Sequence, residues 1–146
     1  MVTLTSEPFE PGAVLTTFCA GRNETGAVAS FTGLARAEHG AALALGLEAY
    51  PGFTAAAIAA FAEAPWARFA LQDYVLIHRT GRLAPGEAIV FVAPPAGHRR
   101  AAFEACDFLM DYLKSRAPFW KKEHSPGGGR WIEPTAQDRT DAQRWD

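Results

Sequence analysis

Apolar and polar positions alternate in short runs punctuated by Gly and Pro, and together they predict an order of helices and strands. Pro11 to Arg22 opens with Pro-Gly and continues mostly apolar, as a short helix with Pro in its first turn does. Gly26-Ala-Val-Ala-Ser-Phe-Thr-Gly33 is bounded by glycines and reads as a strand ending at a loop. Leu43 to Tyr50 is a second strand, closed by Pro51-Gly52. Phe53 to Glu63 is Ala-rich and helical, ending before Pro65. Phe69 to Arg79, rich in Val, Ile, Tyr and Leu, predicts a strand. Leu83-Ala-Pro-Gly-Glu87 then turns the chain, and Ala88 to Ala93 returns as the second strand of a hairpin.

The longest helix is expected from about Arg99 to Arg116. Ala102, Cys106, Leu109 and Leu113 recur at spacings of 4, 3 and 4, which places them on one face, and Phe103 and Met110 widen that stripe. Pro118 stops the helix. Phe119 to Glu123 and Arg130 to Glu133 are short extended segments flanking Ser125-Pro-Gly-Gly-Gly129. Helices and antiparallel hairpins intermix without regular βαβ alternation, so the class is α+β. No internal repeat or low-complexity linker divides the chain. It reads as one domain over 1–146, with 1–10 and 135–146 its less ordered ends.

Composition agrees with that size: 146 residues, 49% hydrophobic and 21% charged, exclude disorder as a description of the whole. The 29 alanines blur helical periodicity, since Ala is indifferent to core or water. No run approaches the roughly 18 uncharged apolar residues of a membrane span. Met1 to Phe9 lacks the basic-then-apolar order of a secretory signal. Cys19 and Cys106, 87 positions apart and outside any CxxC, fit a reduced, cytosolic protein without disulfide framework or zinc site. Cys106 lies on the apolar stripe and reads as an inert core thiol, and Cys19 likewise reads as core.

Charge changes the picture once it is divided. From His98 to Arg130 stand seven Lys/Arg and four acids, net +3, against −5 for the remainder. An acidic body with one basic segment points to a local anion site rather than a nucleic-acid footprint. No GxSxG elbow is present, and the Gly-rich loop runs into Arg130-Trp131 rather than Gly-Lys-Ser/Thr, so it is no P-loop. His39, His78, His98 and His124 lack metal-ligand spacing. The candidates left are Arg36, His98-Arg99, Lys114 and Lys121-Lys122. His98-Arg99 sits where the long helix begins, and cations there oppose the helix dipole, which makes sense for holding a phosphate. Lys114, near the helix end, is explained by the dipole alone. In a strand Lys121 and Lys122 face opposite sides, so one can enter a pocket while the other meets water.

Set in order, Gly26-Ala-Val-Ala-Ser-Phe-Thr-Gly-Leu-Ala-Arg36, Ile77-His-Arg-Thr-Gly81, Gly97-His-Arg99, Met110-Asp-Tyr-Leu-Lys114, Ala117-Pro-Phe-Trp-Lys-Lys-Glu123 and Arg130-Trp131 form a recognisable series. From Pro11 to Trp145 the chain resembles the large, catalytic subunit family of molybdopterin synthase. The resemblance implies conversion of cyclic pyranopterin monophosphate to molybdopterin. Sulfur would arrive as a thiocarboxylate on the C-terminal Gly-Gly tail of a small ubiquitin-like subunit. It further implies an α/β hammerhead with a small added antiparallel subdomain, and a large-subunit dimer within a heterotetramer. Carried over by motif, Leu34, Ala35, Arg36, His98 and Arg99 line the substrate site, Lys114 and Lys121 are catalytic, and Lys122 and Glu123 stand beside them. Leu34-Ala35 replaces a usually more polar pair, and Pro94-Pro95 precedes Gly97-His98 where a β-type residue and Ser are usual. Neither change removes a charged group.

The residue inventory suits that chemistry. With no reactive cysteine, sulfur must come from elsewhere, and the step needs neither metal nor cofactor. Arg suits the phosphate, and a lysine crowded by other cations can shuttle a proton near neutrality. A non-catalytic phosphate- or nucleotide-binding module, or an inactive scaffold, would use the same cations without turnover. One length adds a constraint. Arg99 and Lys114 lie fifteen residues apart, roughly 22 Å along a helix at about 1.5 Å per residue. A pterin monophosphate cannot touch both ends. Two copies related by a two-fold axis could build each pocket jointly, His98 and Arg99 of one meeting Lys114 and Lys121 of the other.

Overall fold

The structure is a computed structural model describing residues 1–36, 44–49, 51–117, 119–125 and 128–146; side chains at 44, 45, 51, 120, 122, 123, 125 and 130 lie outside that description. In chain order the elements are β1 (Val2–Thr5), α1 (Pro11–Cys19), β2 (Ala27–Val28), β3 (Phe31–Leu34) and β4 (Ala44–Ala49). Then come α2 (Pro51–Ala62), α3 (Ala64–Phe69), β5 (Val75–Arg79), β6 (Gly81–Leu83), β7 (Ala88–Ala93) and β8 (Pro95–Ala96). The chain finishes with α4 (Arg99–Ser115), β9 (Phe119–Ser125), β10 (Gly128–Ile132) and α5 (Ala136–Gln143).

Sheet one has the order β1-β5-β7-β3, with β1 parallel to β5 and the other pairs antiparallel. Alternation along β5 and β7 gives this sheet two apolar faces. On one, Leu76, Val90 and Val92 pack beneath Ala102, Ala105, Leu109 and Leu113 of α4, with Ile58 and Ala62 of α2 alongside. On the other, Val75, Phe91 and Ala93 are covered by Val14, Leu15 and Phe18 of α1. The second sheet, β10-β9-β4-β6, is antiparallel throughout and is the small added subdomain. The chain crosses from sheet one to sheet two at Gly81, whose φ of 86° is accessible to glycine at little cost. Leu47 and Leu83 of the second sheet meet Ala35 and Ile89 in a small core that joins the two sheets. The α+β class stands.

Several boundaries differ from the sequence reading. The strand expected over Phe69 to Arg79 begins only at Val75, because Phe69 belongs to α3. Pro65 both ends α2 and occupies the first turn of α3, and Ala70 closes α3 in the left-handed region at φ 50°. The strand expected over Gly26 to Gly33 is two strands in different sheets, β2 with β8 and β3 with β7. Phe103 is 66% exposed rather than part of the buried stripe, whereas Met110 is buried. Cys19 is exposed, because α1 turns Val14, Leu15 and Phe18 inward; Cys106 is buried, with its thiol pushed up to about 12 by burial and then by Asp107. The stop at Pro118, His39 and the ends Leu43 and Tyr50 lie outside the described residues. Among the described residues, no helix is long and apolar enough to cross a membrane.

Candidate active site

Register decides which residues share an end of the molecule. Leu4, His78, Val90 and Gly33 stand side by side across sheet one. β7 runs away from that row to Ala93 and β8, and α4 returns from Arg99 to Ser115 as one 17-residue helix. Its last turn therefore brings Lys114 back over the His78 row. β9 starts four residues after α4 and passes the same place, where Phe119 lies flat on His78 with ring centroids 4.0 Å apart and planes 22° from parallel. Phe119 and Lys121 share a face of β9, so Lys121 joins Lys114 there.

This end holds Lys114 and Lys121, two of the three lysines of the chain. Lys114 is exposed and Lys121 half-buried. Burial first, and repulsion from Lys114 second, lower the Lys121 amine from 10.5 to about 8, with Asp138 pulling the other way. Asp138 comes from the first turn of α5. The Thr135 backbone N–H and hydroxyl both donate to its Oδ2 at 2.7 Å, and its own N–H donates back to the Thr135 hydroxyl at 3.1 Å. Burial would raise its carboxyl, but those hydrogen bonds and the charges of Lys114 and Lys121 outweigh it and hold it below the ordinary value. α5 is itself held against α4: Asp111 Oδ2 accepts from Arg144 Nε and Nη2 at 3.0 and 2.6 Å and from Trp145 Nε1 at 2.6 Å.

Arg36 reaches the same end by another route. Ala35 is 4% exposed and clamped to the 84–87 turn, donating to Glu87 O at 2.8 Å and accepting from Gly86 N at 2.6 Å. This leaves Leu34 57% exposed and Arg36 exposed just beyond the edge of sheet one. His98 and Arg99 lie at the opposite end of α4. His98 is its N-cap, in extended conformation and without a side-chain cap hydrogen bond, so its imidazole is not spent on the helix. The approach is fixed by Gly26, where a Cβ would stand 1.9 Å from the Gly97 carbonyl oxygen. The side chains of Lys122 and Glu123, and Gly127 of the glycine loop, lie outside the described residues; the backbones of Lys122 and Glu123 belong to β9.

Lys114, Lys121 and Arg36 thus gather at one end of a chain whose His98 and Arg99 sit at the other. Sequence reasoning passed over His78, Phe119 and Asp138, which join the lysines. For Asp138 the signal available was Thr135-x-x-Asp138, which marks a helix start but not what lies against it.

Comparison with known proteins shows the family of the chain. The family model described as MoaE protein matches residues 4–116. The molybdopterin synthase catalytic subunit of Caulobacter vibrioides is 73% identical over 146 residues, covering 100% of this chain and 97% of that one. The molybdopterin biosynthesis MoaE protein from Burkholderia ambifaria superposes with a TM-score of 0.84 at 39% identity, over 99% and 97% of the two chains. Molybdopterin synthase from Staphylococcus aureus gives 0.80 at 25% identity, over 89% and 95%. By sequence and by fold, the chain belongs to the MoaE protein family.

Proposed function

We propose that this chain is the catalytic subunit of a molybdopterin synthase, acting in the cytoplasm. It converts cyclic pyranopterin monophosphate to molybdopterin with sulfur from the C-terminal thiocarboxylate of a small ubiquitin-like subunit. The observation that carries this reading is the lysine pair: Lys121 has an amine lowered to about 8 beside Lys114. At pH 7 about a tenth of such an amine is free base and the rest ammonium. It can therefore give a proton to the oxygen displaced as the thiocarboxylate sulfur attacks the pterin side chain, and take one from the water that then cleaves the acyl–sulfur bond. Lys114, exposed on the last turn of α4, supplies positive charge for the anionic tail and substrate. Arg36 grips the phosphate from the same chain, with Leu34 and Ala35 shaping the edge, while Lys122 and Glu123 complete the β9 side.

His98 and Arg99 serve the pocket of a second copy. The 17 residues of α4 keep them about 22 Å from Lys114 of their own chain. A dimer would give cover to exposed apolar side chains such as Phe103 at 66%, Leu34 at 57% and Phe31 at 40%. The small subunit's glycine tail is narrow enough to pass between β9 and α4 toward Lys114. Neither metal nor cofactor enters this scheme. The deciding experiment combines the purified chain, its thiocarboxylated partner and the pterin precursor, with product read by the fluorescence of its oxidised form. Turnover is expected. Tight substrate binding without product would instead establish the phosphate-binding module.

A further inference from the structure

The Ile77-His-Arg-Thr-Gly81 motif contains a buried imidazole to which the proposed reaction gives no part. His78 is 6% exposed. Its Nδ1 stands 2.9 Å from the Arg79 carbonyl oxygen, which can only accept, so Nδ1 carries the hydrogen and Nε2 the lone pair. The ring's flat face is spent on Phe119, at 4.0 Å. Phe119 and Lys121 share a face of β9, and Lys121 lies near enough to His78 for its charge to act on the ring.

We infer that His78 is a positioning residue for Lys121: an uncharged ring stacked beneath Phe119, holding β9 over the end of sheet one and excluding water from the underside of the amine. The inference rests on the reading of Lys114 and Lys121 as the reacting groups and explains how the fold keeps one of them near neutrality. Burial foremost, then Lys121 and Lys114, push the imidazole down to about 4, so at working pH it adds no third positive charge to the pair. Among the described residues, the groups facing Lys121 are Lys114 from α4, Asp138 from α5 and His78 from β5. The flanking strands place Leu47 and Ile132 opposite it in register, and Glu48 opposite Trp120 on the alternate position. With one cation and one carboxylate beside the amine among the described residues, exclusion of water is the larger influence, and the His78–Phe119 stack supplies its underside.

The three lysines make a direct test practicable. Reductive ¹³C-methylation of the full chain gives resonances whose pH titration reads each amine, and Lys121→Arg assigns the one of interest. In His78→Ala the Lys121 titration is expected to move up from about 8 by about one unit or more, as water reaches the amine. In His78→Phe, which keeps the stack, it should stay within about 0.3 units. Should His78→Ala fail to fold, His78→Gln and Phe119→Leu carry the same expectation by weakening either side of the stack. A folded variant lacking the stack with an unmoved Lys121 titration overturns the inference, whatever its turnover. A moved titration together with full turnover by Lys121→Ala upholds the inference and overturns the reaction reading instead.

Discussion

His78 illustrates how a single buried group ties stability to pH. Its pKa is about 4 in the fold and 6.5 in an unfolded chain, so between those values the unfolded state binds a proton that the native state refuses. Stability therefore falls as pH drops from 6.5 to 4. The full effect, 2.5 units between those two pKa values, corresponds to about 3 kcal/mol. Replacing His78 by Phe should flatten this part of the curve, seen as a smaller difference between urea midpoints at pH 6.5 and pH 4.5 than in the native sequence. The lysines give a second expectation. Lys114→Ala should nearly abolish product while leaving the fold intact, since a helix-end cation contributes only about 0.3–1 kcal/mol. Lys121→Ala should be severe and Lys122→Ala milder, all read as product per minute in the reconstituted reaction. Asp138→Asn removes the carboxylate that raises the Lys121 amine, so its titration should shift below about 8 and the rate profile move toward acid.

Among the elements, α4 and α5 carry groups of the candidate site, and each depends on a close contact elsewhere. The start of α4 is set where Gly26 passes Gly97, donating its N–H to the Ala96 carbonyl at 3.1 Å. Gly26→Ala forces a methyl into the Gly97 carbonyl and should cost about 1–3 kcal/mol in denaturant unfolding. It should also weaken substrate binding through His98 and Arg99, with Lys114 and Lys121 undisturbed. α5 has few apolar residues and is held by Asp111, whose Oδ2 accepts three hydrogen bonds, and by Trp145 packed against Phe69 and Phe108. Asp111→Ala leaves the Trp145 indole N–H without its partner and should cost about 1–3 kcal/mol. Faster amide exchange should then be confined to α5.

For the whole molecule, the proposal that His98 and Arg99 act in one pocket with Lys114 and Lys121 requires a pocket shared between copies, because α4 is 17 residues long. Subunit mixing tests it. An Arg99→Ala chain and a Lys114→Ala chain, each inactive alone, should regain activity when allowed to exchange, because half of the pockets in each mixed dimer receive both groups. If the groups acted within one chain, every pocket would lack one of them, and mixing would restore nothing. Exchange itself is monitored by differential labelling, so absence of activity cannot be mistaken for absence of mixing.

What the sequence determined was whatever depends on local periodicity. The 4-3-4 spacing of Ala102, Cys106, Leu109 and Leu113 placed α4 and its buried face, and the basic candidates around it were legible as residues. The distance between Arg99 and Lys114 also followed from sequence, because a helix converts residue count into length. What only the tertiary structure decided was partnership. β1, β6 and α5 carry weak patterns of their own and form because a sheet edge or the flank of α4 satisfies them. Phe103, a stripe residue by spacing, lies outside the buried face and is 66% exposed. His78 and Asp138, 60 positions apart in the chain, come to one pair of lysines through sheet register and helix docking. Periodicity reports which way a residue faces; which residue it will meet is set by long-range packing.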